Sequence, residues 1–274
     1  MNYRIGSSLV VGIINIILGV VYFKYVLLDK HLNSYKTYIK WIPAGILFLA
    51  SAILGFHSLH YKAYVHARHY IFLVCFYLFC IIGDIILSLD GCYLFGMVSF
   101  MISYIIIGLI HARYGYNKLN SVHPKKLIIG SYIIFMICMT VIVFIIKTDS
   151  REYNKFNSTI SIIGILWYTK IIATTNIQMF IYFLTSPNTH WIMCWNFNME
   201  SVILCVATIL FSISDCMVIY NDILYHSIYL EIAELSVYWI SIYLFFLGIA
   251  THRVSKNVDN NSADIILNID ENIN

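Results

Sequence analysis

Residues 70–89 read YIFLVCFYLFCIIGDIILSL, and residues 202–220 read VILCVATILFSISDCMVIY. Each run is long enough to cross the ~30 Å hydrocarbon core of a bilayer as a helix rising ~1.5 Å per residue. Each also carries one acid, Asp84 or Asp215, directly after a small residue, Gly83 or Ser214. A carboxylate inside hydrocarbon costs about 2.5–3.5 kcal/mol on insertion scales. Acids kept at such positions face a protein interior and mark function.

The rest of the chain agrees with a membrane class. Of 274 residues, 60% are hydrophobic and 11% charged, against roughly 25% charged in soluble domains. The mean hydropathy is +0.79. The reading is an all-α polytopic membrane protein with eight transmembrane helices. The expected spans are Ile5–Tyr25, Trp41–His60, Tyr70–Leu89, Cys92–Ala112, Leu127–Ile146, Thr159–Phe183, Glu200–Tyr220 and Ile228–Ala250. They form one domain, residues 1–252, followed by a polar tail at 253–274. The first span follows Arg4 without a small-residue cleavage site, so it is expected to be a retained helix. Asp90-Gly91 marks a tight turn between spans three and four.

Lysines and arginines divide nine to seven between the two sides, with Lys170 inside a span. That bias favours cytosolic termini. Spans three and seven run in the same direction, and each leads through a short acidic connection into the next span. This pattern is compatible with a four-plus-four parallel repeat around a polar cavity. Asp84 and Asp215 each lie five residues past the middle of their spans, roughly 7–8 Å from the midplane on the side opposite the termini. Glu234 falls near that layer, Glu231 is one turn shallower, and Lys170 lies near the midplane. Asn15 is mid-span in the first helix.

Other chemistries find little footing. The net charge of +3 comes with no basic run, so nucleic acid is not an expected partner. Seven cysteines, an odd number without a CxxC pair, read as small membrane hydrophobes. His57, His60, His66 and His69 cluster at the end of span two, away from the acids, and read as interfacial rather than metal-binding. No metal or cofactor is expected. The Asn157 sequon abuts span six and is expected to be unused. No GxSxG elbow or P-loop occurs.

Four short motifs carry a resemblance. Spans three and four read IIGDIILSLDGCYLFGMVSF, similar to a family pattern of Gly/Ala-Asp, a Leu and Phe-x-Gly-x-x-x-Phe. Span seven reads ILFSISDCMVIYN, similar to Leu-Phe-x-x-Ser-Asp. Lys40-Trp41-Ile42-Pro43 looks like Lys-x-x-Pro, and Tyr238-Trp239-Ile240-Ser241 resembles Tyr-Tyr-x-Ala. Together they resemble the YhhN-like lysoplasmalogenase family of eight-span membrane proteins. The chain departs from that pattern where Ser103 or Tyr104 stands for a His and Ile242 for a Gln.

The resemblance implies hydrolysis of the vinyl-ether bond of lysoplasmalogens, with Asp84 and Asp215 as the catalytic pair; the expected location is the endoplasmic reticulum membrane. The products are a fatty aldehyde and a glycerophosphocholine or glycerophosphoethanolamine. The expected partners are the lysophospholipid substrate and the bilayer itself. Lys40, on the acid-bearing side, is the candidate phosphate partner, with Lys24 and Lys36 as competitors. Lys170, Tyr104, Glu234 and Tyr238 complete the expected substrate-binding set. The competing classes are a proton-coupled carrier, since carriers also hold intramembrane acids, and a lipid-binding relative without turnover.

Overall fold

Every long helix of this chain is apolar around most of its circumference, so ordinary amphipathicity does not choose the buried face. Small residues and polar side chains choose it instead, because lipid tails are as apolar as leucine and only close packing and interhelical hydrogen bonds favour association. The computed structural model describes residues 2–22, 40–61, 63–89, 92–115, 159–185, 199–223 and 227–251. These form seven helices and no strand: α1 (Asn2–Tyr22), α2 (Ile42–His60), α3 (Tyr64–Leu87), α4 (Tyr93–Gly115), α5 (Thr159–Thr185), α6 (Met199–Ile223) and α7 (Ile228–Thr251). The expected span Leu127–Ile146, the Asp90-Gly91 turn, the Asn157 sequon, Lys24, Lys36 and the tail at 253–274 lie outside the described residues.

Among the described residues, α2, α3, α6 and α7 are long and apolar enough to cross a membrane. α1 and α4 hold shorter apolar stretches, Val10–Val21 and Leu94–Ile110. The outer surface is apolar too: Ile16, Ile53, Phe56 and Phe95 are all more than two-thirds exposed. A soluble monomer rarely leaves so much apolar surface open. The protein is therefore an all-α membrane protein.

Local chemistry sets the ends. Pro43 stands in the first turn of α2, where its missing N–H costs nothing. α3 begins six residues earlier than the hydropathy of Tyr70–Leu89 predicts, because Tyr64 to His69 continue the helix beyond the apolar run.

Direction follows from which residues meet. Gly83 of α3 meets Phe100 of α4, and Gly248 of α7 meets Leu204 of α6, so each of these pairs is antiparallel. Gly12 and Gly19 of α1 meet Tyr243 and Trp239 of α7, so those helices are antiparallel as well. The start of α1 and the end of α7 therefore share one end of the bundle. α4 and α5 differ: Leu94 meets Gly164 and Gly108 meets Gln178, so these two neighbours run parallel.

Buried positions repeat at helical spacing. Leu73, Phe76, Tyr77, Cys80 and Asp84 line one face of α3; Leu204, Thr208, Phe211 and Asp215 line one face of α6. Phe211 is the hub. Its ring lies 5.6 Å from Phe76, 4.9 Å from Tyr104, 5.9 Å from Tyr238 and 6.1 Å from Phe245. Polar bonds then join the helices pairwise. Tyr77 donates to the Ile242 carbonyl at 2.8 Å, Ser99 to the Phe79 carbonyl at 2.7 Å, and Thr175 to the Tyr104 carbonyl at 3.3 Å.

The small residue before each acid has a physical reason. A Cβ on Gly83 would lie 2.6 Å from the Phe100 ring. Ser214 donates to the Glu234 carbonyl at 3.2 Å, which needs α7 just as close. Gly83→Ala is expected to cost about 1–3 kcal/mol through overpacking, read as a lower thermal midpoint in detergent micelles. An unchanged midpoint would mean that Phe100 moves aside freely.

Candidate functional site

Asp84 lies one turn before the end of α3, and Asp215 lies two turns before the end of α6. These ends meet the beginnings of α2 and α7, so Asp84, Asp215 and Glu234 gather at one end of the bundle, where Lys40 leads into α2. Asp84 is 2% exposed and Asp215 6%. A carboxylate so enclosed must be hydrogen-bonded or neutralised.

Phenols meet that need. The Tyr238 hydroxyl of α7 donates to Asp84 Oδ2 at 3.0 Å. Asp215 Oδ2 accepts two, from Tyr104 of α4 at 2.7 Å and from Tyr168 of α5 at 2.6 Å. The donors cross over: the acid of the α3–α4 hairpin takes its tyrosine from α7, and the acid of the α6–α7 hairpin takes one from α4. Phe211 separates Tyr104 from Tyr238 and packs on both, fixing their tilt.

The two halves form one cluster. Each carboxyl lies within electrostatic reach of the other, and Lys40 reaches both. Cys80, one turn before Asp84, lies 3.6 Å from Ser103 Oγ and also contacts Tyr238. On the α6 side, Ser212 Oγ is 3.4 Å from the Tyr104 hydroxyl and accepts from Asn176 Nδ2 at 2.6 Å.

Lys40 pairs with Glu234, Nζ to Oε1 at 3.8 Å. Glu234 is buried, while Lys40 keeps about a fifth of its side chain exposed. Lys40, two residues before α2, therefore stands at the end of the bundle, while Glu234 is level with Ser214 and Asp215.

The structure thus brings together Asp84, Asp215, Tyr104, Tyr238, Glu234 and Lys40. It does not bring Lys170. That side chain is exposed on the outer face of α5, with Nζ 4.8 Å from the Trp167 ring centroid. Its position near the midplane made Lys170 a candidate for the polar cavity, but depth does not give facing, and the two residues from Tyr168 to Lys170 are a rotation of about 200°. Tyr168 occupies the inward phase instead. Sequence reasoning missed Tyr168; its signal was phase on α5, blurred by apolar residues on every side.

Ser103, Tyr104 and Ile242, the positions where the chain departs from the pattern it resembles, are all fully buried. Ser103 belongs to the polar cluster, whereas Ile242 offers only its backbone carbonyl, to Tyr77. His57 and His60 pack on Tyr61 at the far end of α2. Among the described residues no group of His, Cys, Asp or Glu is placed to hold a metal ion. Asn15 bonds within its own helix, to the Val11 carbonyl.

Comparison with protein-family models, with curated proteins and with solved structures finds no match.

Tyr104 and Tyr168 serve the same oxygen, so each compensates for the other. Tyr104→Phe and Tyr168→Phe are each expected to cost about 1–2 kcal/mol, and the double variant more than their sum. Denaturant unfolding in mixed micelles reads this cycle. Strict additivity would show that the two hydroxyls do not share a carboxylate.

Proposed function

We propose that the protein is a membrane hydrolase that cleaves the vinyl-ether bond of lysoplasmalogens, with Asp84 and Asp215 as its acid–base pair. The observation that carries this reading is two buried carboxyls at one end of an apolar bundle, each held by a tyrosine from the opposite hairpin. The four motifs that resemble the YhhN-like family converge on this one spot. Phe100, Phe211, Asp84, Asp215, Lys40 and Tyr238 all belong to those motifs and all meet there or against it.

The chemistry suits two carboxyls sharing one proton. A carboxylic acid protonates the β-carbon of the vinyl ether, giving an oxocarbenium ion. The second, ionised carboxylate stabilises that cation and takes a proton from water as it adds. The hemiacetal then collapses to an aldehyde and an alcohol, for a net consumption of one water. Two phenol donors on one oxygen favour Asp215 as the ionised partner, and leave Asp84 as the proton donor. Lys40 is the candidate phosphate contact. An arriving phosphate competes with Glu234 for its ammonium, which links head-group binding to the acid end of the site.

The carrier reading gains less from the geometry. α3 and α6 run unbroken past their acids, whereas carriers commonly open a helix at the ion site. The parallel course of α4 and α5 agrees with the eight-span reading.

Asp84→Asn and Asp215→Asn are each expected to lower aldehyde release from a lysoplasmalogen by roughly 10²–10⁴-fold, measured on purified protein in micelles. Near-normal turnover in either variant would rule out the paired-acid mechanism. Lys40→Gln is expected to raise KM by roughly tenfold with kcat nearly unchanged. An unaltered KM would remove Lys40 from head-group binding.

A further inference from the structure

A cavity of about 470 Å³ runs along the outer side of α6, within the ~300–1,000 Å³ range of small-molecule sites. Its wall on α6 is a stripe at helical spacing: Ile209, Ser212 with Ile213, Cys216 with Met217, and Tyr220. Leu230 of α7 and Asn176 of α5 close its edges. The stripe covers 12 residues, or roughly 16 Å of helix rise. It begins near the middle of α6 and ends at the acid-bearing end of the bundle. Ile209, Ile213 and Tyr220 are each more than two-fifths exposed, so the groove opens towards whatever surrounds the helices.

The lining is almost wholly apolar, and its polar groups are concentrated at Asn176 and Ser212. Those two lead inward. Asn176 donates to Ser212, Ser212 adjoins the Tyr104 hydroxyl, and Tyr104 donates to Asp215. Cys216 also lies within electrostatic reach of Tyr104. The groove and the acid pair therefore share one wall of α6, with the groove on one side and Asp215 on the other.

We infer that this groove holds the single aliphatic chain of a lysophospholipid, laid along α6 from the bilayer with its head-group end towards Tyr220 and Leu230 and its methylenes running past Cys216 and Ser212 towards Ile209. The inference rests on the hydrolase reading for the identity of the lipid. Its geometry stands apart from that reading: an open apolar trough as long as half a bilayer, joined by hydrogen bonds to a buried acid. A chain bound there keeps its methylenes out of water and runs along the wall behind which Asp215 lies. Tyr220 and Leu230, at the acid-bearing end, would flank the part nearest the head group.

The test uses the full chain in lipid nanodiscs and a lysophospholipid with a diazirine on its single alkyl chain. After illumination, mass spectrometry is expected to find adducts between Ile209 and Tyr220. Ile213→Trp fills the trough, and is expected to lower those adducts by roughly tenfold; Ile213→Ala keeps it open and should retain them. Adducts on α1, α2 or α3 instead would overturn the inference. So would their absence, which is the result if another part of this chain or a second copy covers the groove. Aldehyde release by the wild type is measured separately. Groove adducts without aldehyde release support the groove while ending the hydrolase reading; aldehyde release with adducts elsewhere does the reverse.

Discussion

A carboxyl group buried in hydrocarbon must be given hydrogen bonds by protein, since neither lipid nor bulk water supplies them. In this bundle that requirement falls on three tyrosines from three other helices. Tyr238 ties α7 to Asp84 of α3, and Tyr104 and Tyr168 tie α4 and α5 to Asp215 of α6. The remaining architecture serves these bonds. Gly83 lets α4 come near α3, Ser214 clasps α7, and Phe211 fills the space between the two phenol systems.

The same bonds make the site asymmetric. Both acids are enclosed, yet Asp215 accepts two hydroxyls on one oxygen and Asp84 accepts one among the described residues. The Lys40–Glu234 pair adds a second asymmetry along the bundle axis. Charge is offered at the end of the bundle, acid–base groups lie deeper, and an apolar trough opens sideways. The lipid proposed as substrate, with one chain and one phosphate, has the same order of parts.

Much of this was legible in the sequence because expensive residues are few. Asp84 and Asp215 stood out by cost alone, and counting residues placed them in one layer. The small residues before them were visible as a pattern, although the close approach of Phe100 to Gly83 was not. Lys170 was misplaced because depth is read from position but facing is read from helical phase, and an all-round apolar helix hides its phase. Tyr168 was passed over for the same reason: among 22 tyrosines, a phenol in a membrane helix looks interfacial until a carboxylate is found beside it. Phe211 was visible as a motif residue, but its place between two tyrosines depends on three helices that sequence alone does not align.

The exchange of donors between hairpins has a consequence for how the chain is made. Asp215 enters the membrane after Tyr104 and Tyr168 have already been synthesised, so its partners are waiting. Asp84 is in the opposite position, because Tyr238 lies 154 residues further along the chain. At a synthesis rate of ~5–20 residues per second, the gap is roughly 8–30 s. For that time the α3–α4 hairpin holds an acid in or near the bilayer without the hydroxyl that will keep it there. The first hairpin is thus a client of the last: a chain cut short before α7 would leave Asp84 without its Tyr238 donor.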